Sequence, residues 1–142
     1  MIDISGKESV PRSAVASGKI HLKKESIAAV REKKVKKGDA LEVAKVAALQ
    51  AVKRTHETIP HCHQINVEEC DVWFDVEDEA IIVHCRVKAH YKTGVEMEAL
   101  VGVSVALLTI WDMVKYLEKD ENGQYPKTSI SDIQVKEKVK GQ

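Results

Sequence analysis

The chain has 142 residues, the size of one ordinary domain. Apolar residues make up 44% and charged residues 31%, so there is material for a core and no signature of a disordered chain. Twenty-two Lys/Arg balance twenty-two Asp/Glu, which argues against a general nucleic-acid binder and leaves room only for a local basic patch.

The first dozen residues, through Pro11 and Arg12, read as an extended arm. Lys19-Ile20-His21-Leu22 alternates polar and apolar, as a half-buried strand does. A short helix is expected from Glu25 to Lys34, overlapping a dense positive cluster, Arg31 to Lys37, that ends at Gly38-Asp39. Asp39 followed by Glu42 fits a capping box and starts the next helix. Leu41, Ala44, Ala47, Ala48 and Ala51 recur at helical spacing, and Val43, Val46 and Leu49 widen the apolar face. Pro60 is expected to end that element.

A hairpin follows. Cys70, Val72, Phe74 and Val76 alternate with Asp71, Trp73 and Asp75, and Ile81, Val83, Cys85, Val87, Ala89 and Tyr91 alternate with Ile82, His84, Arg86, Lys88 and His90. A period of two with one polar face predicts an antiparallel sheet covered on one side. Ile65 and Val67 are out of phase with Cys70, which suggests a bulge near Glu68-Glu69. Thr93-Gly94-Val95-Glu96 reads as a capping box opening a long helix, apolar on all sides from Met97 to Leu117 and closed by Glu121-Asn122-Gly123. A last strand is expected over Ile130 to Val135, then a charged tail, Lys136 to Gln142. The pattern predicts an α+β two-layer sandwich of ferredoxin-like type, an antiparallel sheet covered by helices, as a single domain over 1–142.

Two trends bear on location. Cys62, Cys70 and Cys85 are odd in number and follow no repeating spacing, so no disulfide framework is expected. The longest apolar stretch, Ala99 to Ile110, is too short to span a bilayer, and no secretory pattern opens the chain. The expectation is a cytoplasmic domain without a membrane partner.

Three regions concentrate reactive groups. Lys36-Lys37-Gly38-Asp39 puts lysines and a glycine turn at a helix start, where free amides and positive potential suit a phosphate; alone it also reads as a solvated basic loop. Lys53-Arg54, followed by His61-Cys62-His63 just after Pro60, offers cations and then ligand-facing donors on a rigid loop. His84 and His90 would be needed to complete a zinc site, and no second Cys/His cluster lies at finger spacing, so a protein-bound metal is not expected. On the long helix, Asp112 and Lys115 are neighbours on one face of an otherwise apolar surface, either a half-buried ion pair or an acid/base pair.

Read together, these motifs resemble one family. Lys37-Gly38-Asp39, Ala51 to Thr55, Ile59 to His63, Lys92 to Leu100 and Ala106 to Lys115, with the opening Met1 to Ser5, are similar to the cyclic pyranopterin monophosphate synthase (MoaC) family over nearly the whole chain and in the same order. The resemblance implies a ferredoxin-like fold and a homo-hexamer, a trimer of dimers, with the active site at a subunit interface. It implies a phosphorus–oxygen lyase of molybdenum cofactor biosynthesis that turns a cyclised dihydro-GTP intermediate into cyclic pyranopterin monophosphate and releases pyrophosphate. Carried over by position, Asp112, Lys115 and Lys37 are catalytic. His61, Cys62, His63, Met97 and Glu98 bind substrate, and Lys53 and Arg54 would meet the triphosphate. The family loop often has Leu where His61 stands and Pro where Gln64 stands, and the bacterial Ser-Gly-Gly-Lys tail is replaced here by Lys136 to Gln142.

The expected chemistry follows from these residues. Lys37, Lys53 and Arg54 bind phosphate oxygens. Asp112 and Lys115 act as base and acid, His63 orients a hydroxyl or phosphate, and Glu98 accepts from the guanine-derived edge. No cofactor is expected to be tightly bound, and magnesium, if it takes part, comes with the triphosphate. Two readings from other classes stand beside this one. A non-catalytic oligomeric module would bind nucleotides or RNA through Lys33 to Lys37, and a zinc hydrolase would use His61, His63 and His84.

Overall fold

The computed structural model describes residues 1–142. In chain order the elements are β1 (Val10–His21), α1 (Lys24–Arg31), α2 (Ala40–Lys53), α3 (Thr55–Thr58), β2 (Glu69–Val76), β3 (Ala80–Tyr91), α4 (Glu96–Glu118) and β4 (Ser129–Lys140). The four strands form one antiparallel sheet in the order β2-β3-β1-β4. With α2 and α4 on one face this is the ferredoxin-like two-layer α+β sandwich that the strand pattern predicts.

The sheet's alternation decides where the core sits. Ala14, Ala16 and Ile20 of β1 and Ile81, Val83, Cys85, Val87 and Ala89 of β3 face the helices and are buried. On the opposite face β2 and β3 pair their charges across strands, Arg86 and Lys88 with Glu69, and His84 with Asp75. Trp73 stacks on His84 with ring centroids 5.2 Å apart. A sheet with one dry and one polar face needs helices on one side only.

Helix α4 is the central beam. Val103, Ala106, Leu107, Ile110 and Val114 are buried along its length, so its apolar character belongs to a core helix. Two glycines set how closely it packs. A Cβ on Gly18 of β1 would come within 2.8 Å of both Leu107 and Val103, and one on Gly102 within 2.7 Å of Val52 and 2.8 Å of Cys85. Both approaches are closer than a side chain permits, so α4 lies directly against β1 and β3 of the sheet and against α2 beside it.

Several boundaries differ from the sequence reading. The arm ends early: β1 begins at Val10, because β3 supplies a twelve-residue partner that extends the pairing back to Val10↔Tyr91. The first helix stops at Arg31, where Lys33 takes a positive φ of 56°. The long helix begins at Glu96 with Val95 as an uncapped N-terminal residue, so Thr93 does not cap it, and it ends at Glu118. The charged tail is strand: β4 runs to Lys140 because β1 pairs it as far as Arg12↔Lys140. The bulge expected at Glu68-Glu69 is there at the start of β2, where Glu68 N–H donates to the Lys88 carbonyl (2.9 Å) while Glu69 pairs with the same Lys88; further irregularities fall between β1 and β4. In α2 the buried stripe is Ala40, Ala44, Ala48 and Val52, which leaves Val43, Val46 and Leu49 exposed rather than in the core. That helix ends at Lys53 with the single turn of α3 before Pro60.

Candidate active site

The chain's reactive residues gather at the two ends of α4. At its N-terminal end lies a cavity of about 610 Å³. The loop after Pro60 supplies His61, Cys62 and His63, the turn before α4 supplies Thr93 and Gly94, and the first turn of α4 supplies Met97 and Glu98. The loop is fixed from both sides. Cys62 N–H donates to the Ile59 carbonyl (3.0 Å), and buried Thr55 ties α3 to α2 through its hydroxyl to Val52 O (3.0 Å). The turn before α4 is held by buried Arg12, whose guanidinium donates to the Tyr91 and Lys92 carbonyls at 3.4 and 3.2 Å.

The far wall comes from the amino-terminal arm, which contributes Met1, Ile2, Ile4 and Lys7. His63 donates from Nε2 to the Ile2 carbonyl (2.8 Å), and Ser5 N–H donates to Asp3 Oδ1 (2.9 Å), so the arm is folded onto the loop. Lys7 adds a cation to the cavity that the sequence reading missed. A residue in an irregular arm carries no periodicity to betray it; the only signal was the arm's similarity to a family start.

Electrostatics distinguish two groups in the cavity. Glu98 is 3% exposed, and burial, reinforced by neighbouring Glu96, pushes its carboxyl up to about 7. It therefore exchanges a proton close to neutral pH. Burial, with the negative potential of Glu98 and Glu96, also raises the Cys62 thiol. Cys62 thus stays protonated and is a poor nucleophile or metal ligand.

At the other end of α4 stands a second cluster. Asp112 Oδ2 is 3.1 Å from Lys37 Nζ, and Asp112 Oδ1 is 3.1 Å from Lys115 Nζ. Lys37 also donates to the Asp112 carbonyl (3.1 Å). It arrives from the loop before α2, where Gly38 takes φ 126° and Asp39 caps α2 by accepting from Glu42 N–H. Hydrogen bonds from Lys115 and then Lys37 hold the Asp112 carboxyl below the usual aspartate range. Of the two sequence readings of Asp112 and Lys115, an acid/base pair or a half-buried ion pair, the geometry corrects the burial in the second. They are instead open, with side chains 57% and 40% accessible, and they form a triad with Lys37.

The two clusters do not meet. Glu98 and Asp112 are fourteen residues apart on a continuous helix, about 21 Å along its axis. Lys53 and Arg54 lie exposed at the end of α2 and line no part of the cavity. No three His, Cys, Asp or Glu side chains converge as metal ligands. His84 and His90 lie on the open face of the sheet, against Asp75 and Glu68, each at 2.7 Å, and neither lines the cavity that holds His61 and His63.

Comparison with known proteins identifies the family. The MoaC family model matches residues 1–141. A probable cyclic pyranopterin monophosphate synthase of Thermococcus kodakarensis is 56% identical, covering 100% of this chain and 91% of the relative. Proteins of the same description from Sulfolobus acidocaldarius and Pyrococcus furiosus are each 54% identical over 99% of this chain, covering 98% and 90% of their own lengths. A family match over almost the whole chain, and relatives this similar end to end, establish that the chain belongs to the MoaC family.

Proposed function

We propose that the chain is a phosphorus–oxygen lyase that converts the cyclised dihydro-GTP intermediate of molybdenum cofactor biosynthesis into cyclic pyranopterin monophosphate, with release of pyrophosphate, in the cytoplasm. The observation that carries the reading is the Lys37–Asp112–Lys115 triad, two ammonium groups drawn together by one exposed carboxylate.

In the cyclising step a sugar-derived hydroxyl gives up its proton, for which the Glu98 carboxylate would be the acceptor, and its oxygen bonds to the α-phosphorus. The bond from that phosphorus to the bridging oxygen of the β-phosphate breaks, and pyrophosphate departs with the electron pair. Lys37 and Lys115 would meet the charge that develops on the phosphate oxygens, held ready by a carboxylate that costs no reorganisation. Asp112, ionised well below neutrality, is better suited to fix the two cations than to take a proton. The proton-transfer role falls to Glu98, whose carboxyl titrates near 7 and lies beside the His63 loop, where the pterin-forming ring would sit. Lys7 and, from outside the cavity, Lys53 and Arg54 would extend the positive surface toward the triphosphate; any magnesium would arrive with it.

We further infer that copies assemble, as the homo-hexamer expected of the family, so that one copy's Asp112 triad faces another's Glu98 cavity. The 21 Å between the clusters motivates this, as do Val43, Val46 and Leu108, which are 40%, 55% and 59% exposed in the single chain. The test is pyrophosphate release and pterin formation from the cyclised intermediate. Turnover by the natural chain and its loss, by about two orders of magnitude or more, in folded Lys37→Ala and Asp112→Asn are expected. Binding without turnover in the natural chain would overturn the proposal.

A further inference from the structure

The Lys37 ammonium reaches Asp112 from a loop that has little regular structure of its own. Lys33 and Gly38 bracket it with positive φ values of 56° and 126°. Val35 is 6% exposed and anchors the loop's middle in the core. Lys36 and Lys37 are exposed, so burial does not fix the peptide that carries them.

One side chain outside the triad does. Tyr116 lies one helical turn beyond Asp112 on the same face of α4. Its hydroxyl accepts from the Lys36 backbone N–H at 2.9 Å, and the Lys36 ammonium stands 5.1 Å from its ring centroid, over the ring face. Its ring packs against the core. The loop is thus clasped to the helix that bears Asp112 at the residue next to Lys37.

We propose that Tyr116 is a positioning residue that holds the Lys36-Lys37 loop against α4 and so keeps the Lys37 ammonium on Asp112. It acts through Lys37 and does not itself need to touch substrate. The relevance of this clasp to catalysis rests on the proposed function, but its structural content does not. The charged groups facing Asp112 are Lys37 from the loop and Lys115 from its own helix, with Lys36 over the Tyr116 ring. Loosening the loop removes one of the two cations that keep Asp112 ionised at low pH, so the Asp112 titration reports on the clasp directly.

The experiment is a carboxyl-carbon NMR titration of Asp112 in the full-length protein, with the resonance assigned by Asp112→Asn. The variants are Tyr116→Phe, Lys37→Ala and the two combined. Phenylalanine keeps the packed ring and removes only the acceptor, so the fold is retained. Lys37→Ala should raise the Asp112 midpoint, Tyr116→Phe should raise it part of the way, and the double variant should match Lys37→Ala. Turnover of the cyclised intermediate by Tyr116→Phe should fall roughly five- to tenfold, the effect of one lost hydrogen bond, through kcat more than KM. An Asp112 titration unmoved by Tyr116→Phe, or one that moves further in the double variant than in Lys37→Ala, overturns the proposal. If the natural protein fails to turn over the intermediate, the proposed function fails while the titration still decides the clasp.

Discussion

Glu98 shows how much a single position can carry. It sits in the first turn of α4, with its carboxyl facing a cavity and no protein hydrogen bond to its side chain beyond its own backbone, and it is held protonated up to about pH 7. Because the folded pKa lies above the ordinary 4.5, the folded state binds the extra proton between those values and the unfolded state does not. Stability from this group is therefore full below about pH 4.5 and is lost as pH rises through about 7. The loss is up to about 3 kcal/mol per chain, and smaller to the extent that water enters the cavity. Glu98→Gln removes the dependence. Denaturant unfolding at fixed protein concentration should find the variant gaining on the natural protein between pH 5 and pH 8, and an equal difference at both values would show that Glu98 is not the buried acid described.

The elements explain why the long helix can present chemistry at both ends. Glu118, fully buried at the C-terminal end of α4, accepts from Lys23 N–H (2.9 Å), from the Ser26 hydroxyl and from the Thr128 hydroxyl (2.6 Å). One carboxylate thus joins the start of α1, the end of α4 and the approach to β4. Glu118→Ala would strand three donors in the core, at a cost of about 3 kcal/mol or more, to be read as a lowered denaturation midpoint. A change under about 1 kcal/mol would mean that water replaces the carboxylate without penalty. The sequence reading did not single out Glu118, because an isolated acidic residue at a helix end looks like a solvated one until its partners, in three different segments, are brought together. What was legible was what repeats. The β2–β3 alternation, the Asp39 cap and the apolar length of α4 all came from periodicity or local hydrogen bonding. The extent of β4 was not, because a strand rich in Lys and Glu is recognisable only by its partner, and the start of β1 was hidden by Pro11 and by small residues with no clear alternation. The site divided in the same way. His61 to His63, Met97 and Glu98 could be grouped by motif, whereas Lys37 on Asp112 and the arm over His63 are contacts between residues 75 and 61 positions apart.

At the scale of the whole molecule, the question is how the two clusters serve one substrate. A continuous helix holds them about 21 Å apart within a chain, and Gly18 and Gly102 let it pack tightly against the sheet and α2 along its length. In the proposed assembly two copies pair with their α4 helices antiparallel across a two-fold axis, each lending its triad to the other's cavity. A two-fold arrangement of that kind makes two equivalent sites, each built from both chains. The arrangement predicts complementation. Asp112→Asn and Glu98→Gln should each be inactive alone, one lacking a working triad and the other a working cavity. When the two are co-assembled in equal amounts, half of the pairs are mixed, and each mixed pair contains one site with both defects and one with neither. Activity should return to about a quarter of the natural level. Recovery must require exchange of subunits and not mere mixing, so the assembled variants combined without dissociation should stay inactive. If co-assembly restores nothing although mixed oligomers form, the Asp112 and Glu98 clusters belong to the same chain's site or only one of them takes part in the reaction, and the shared-site arrangement is wrong.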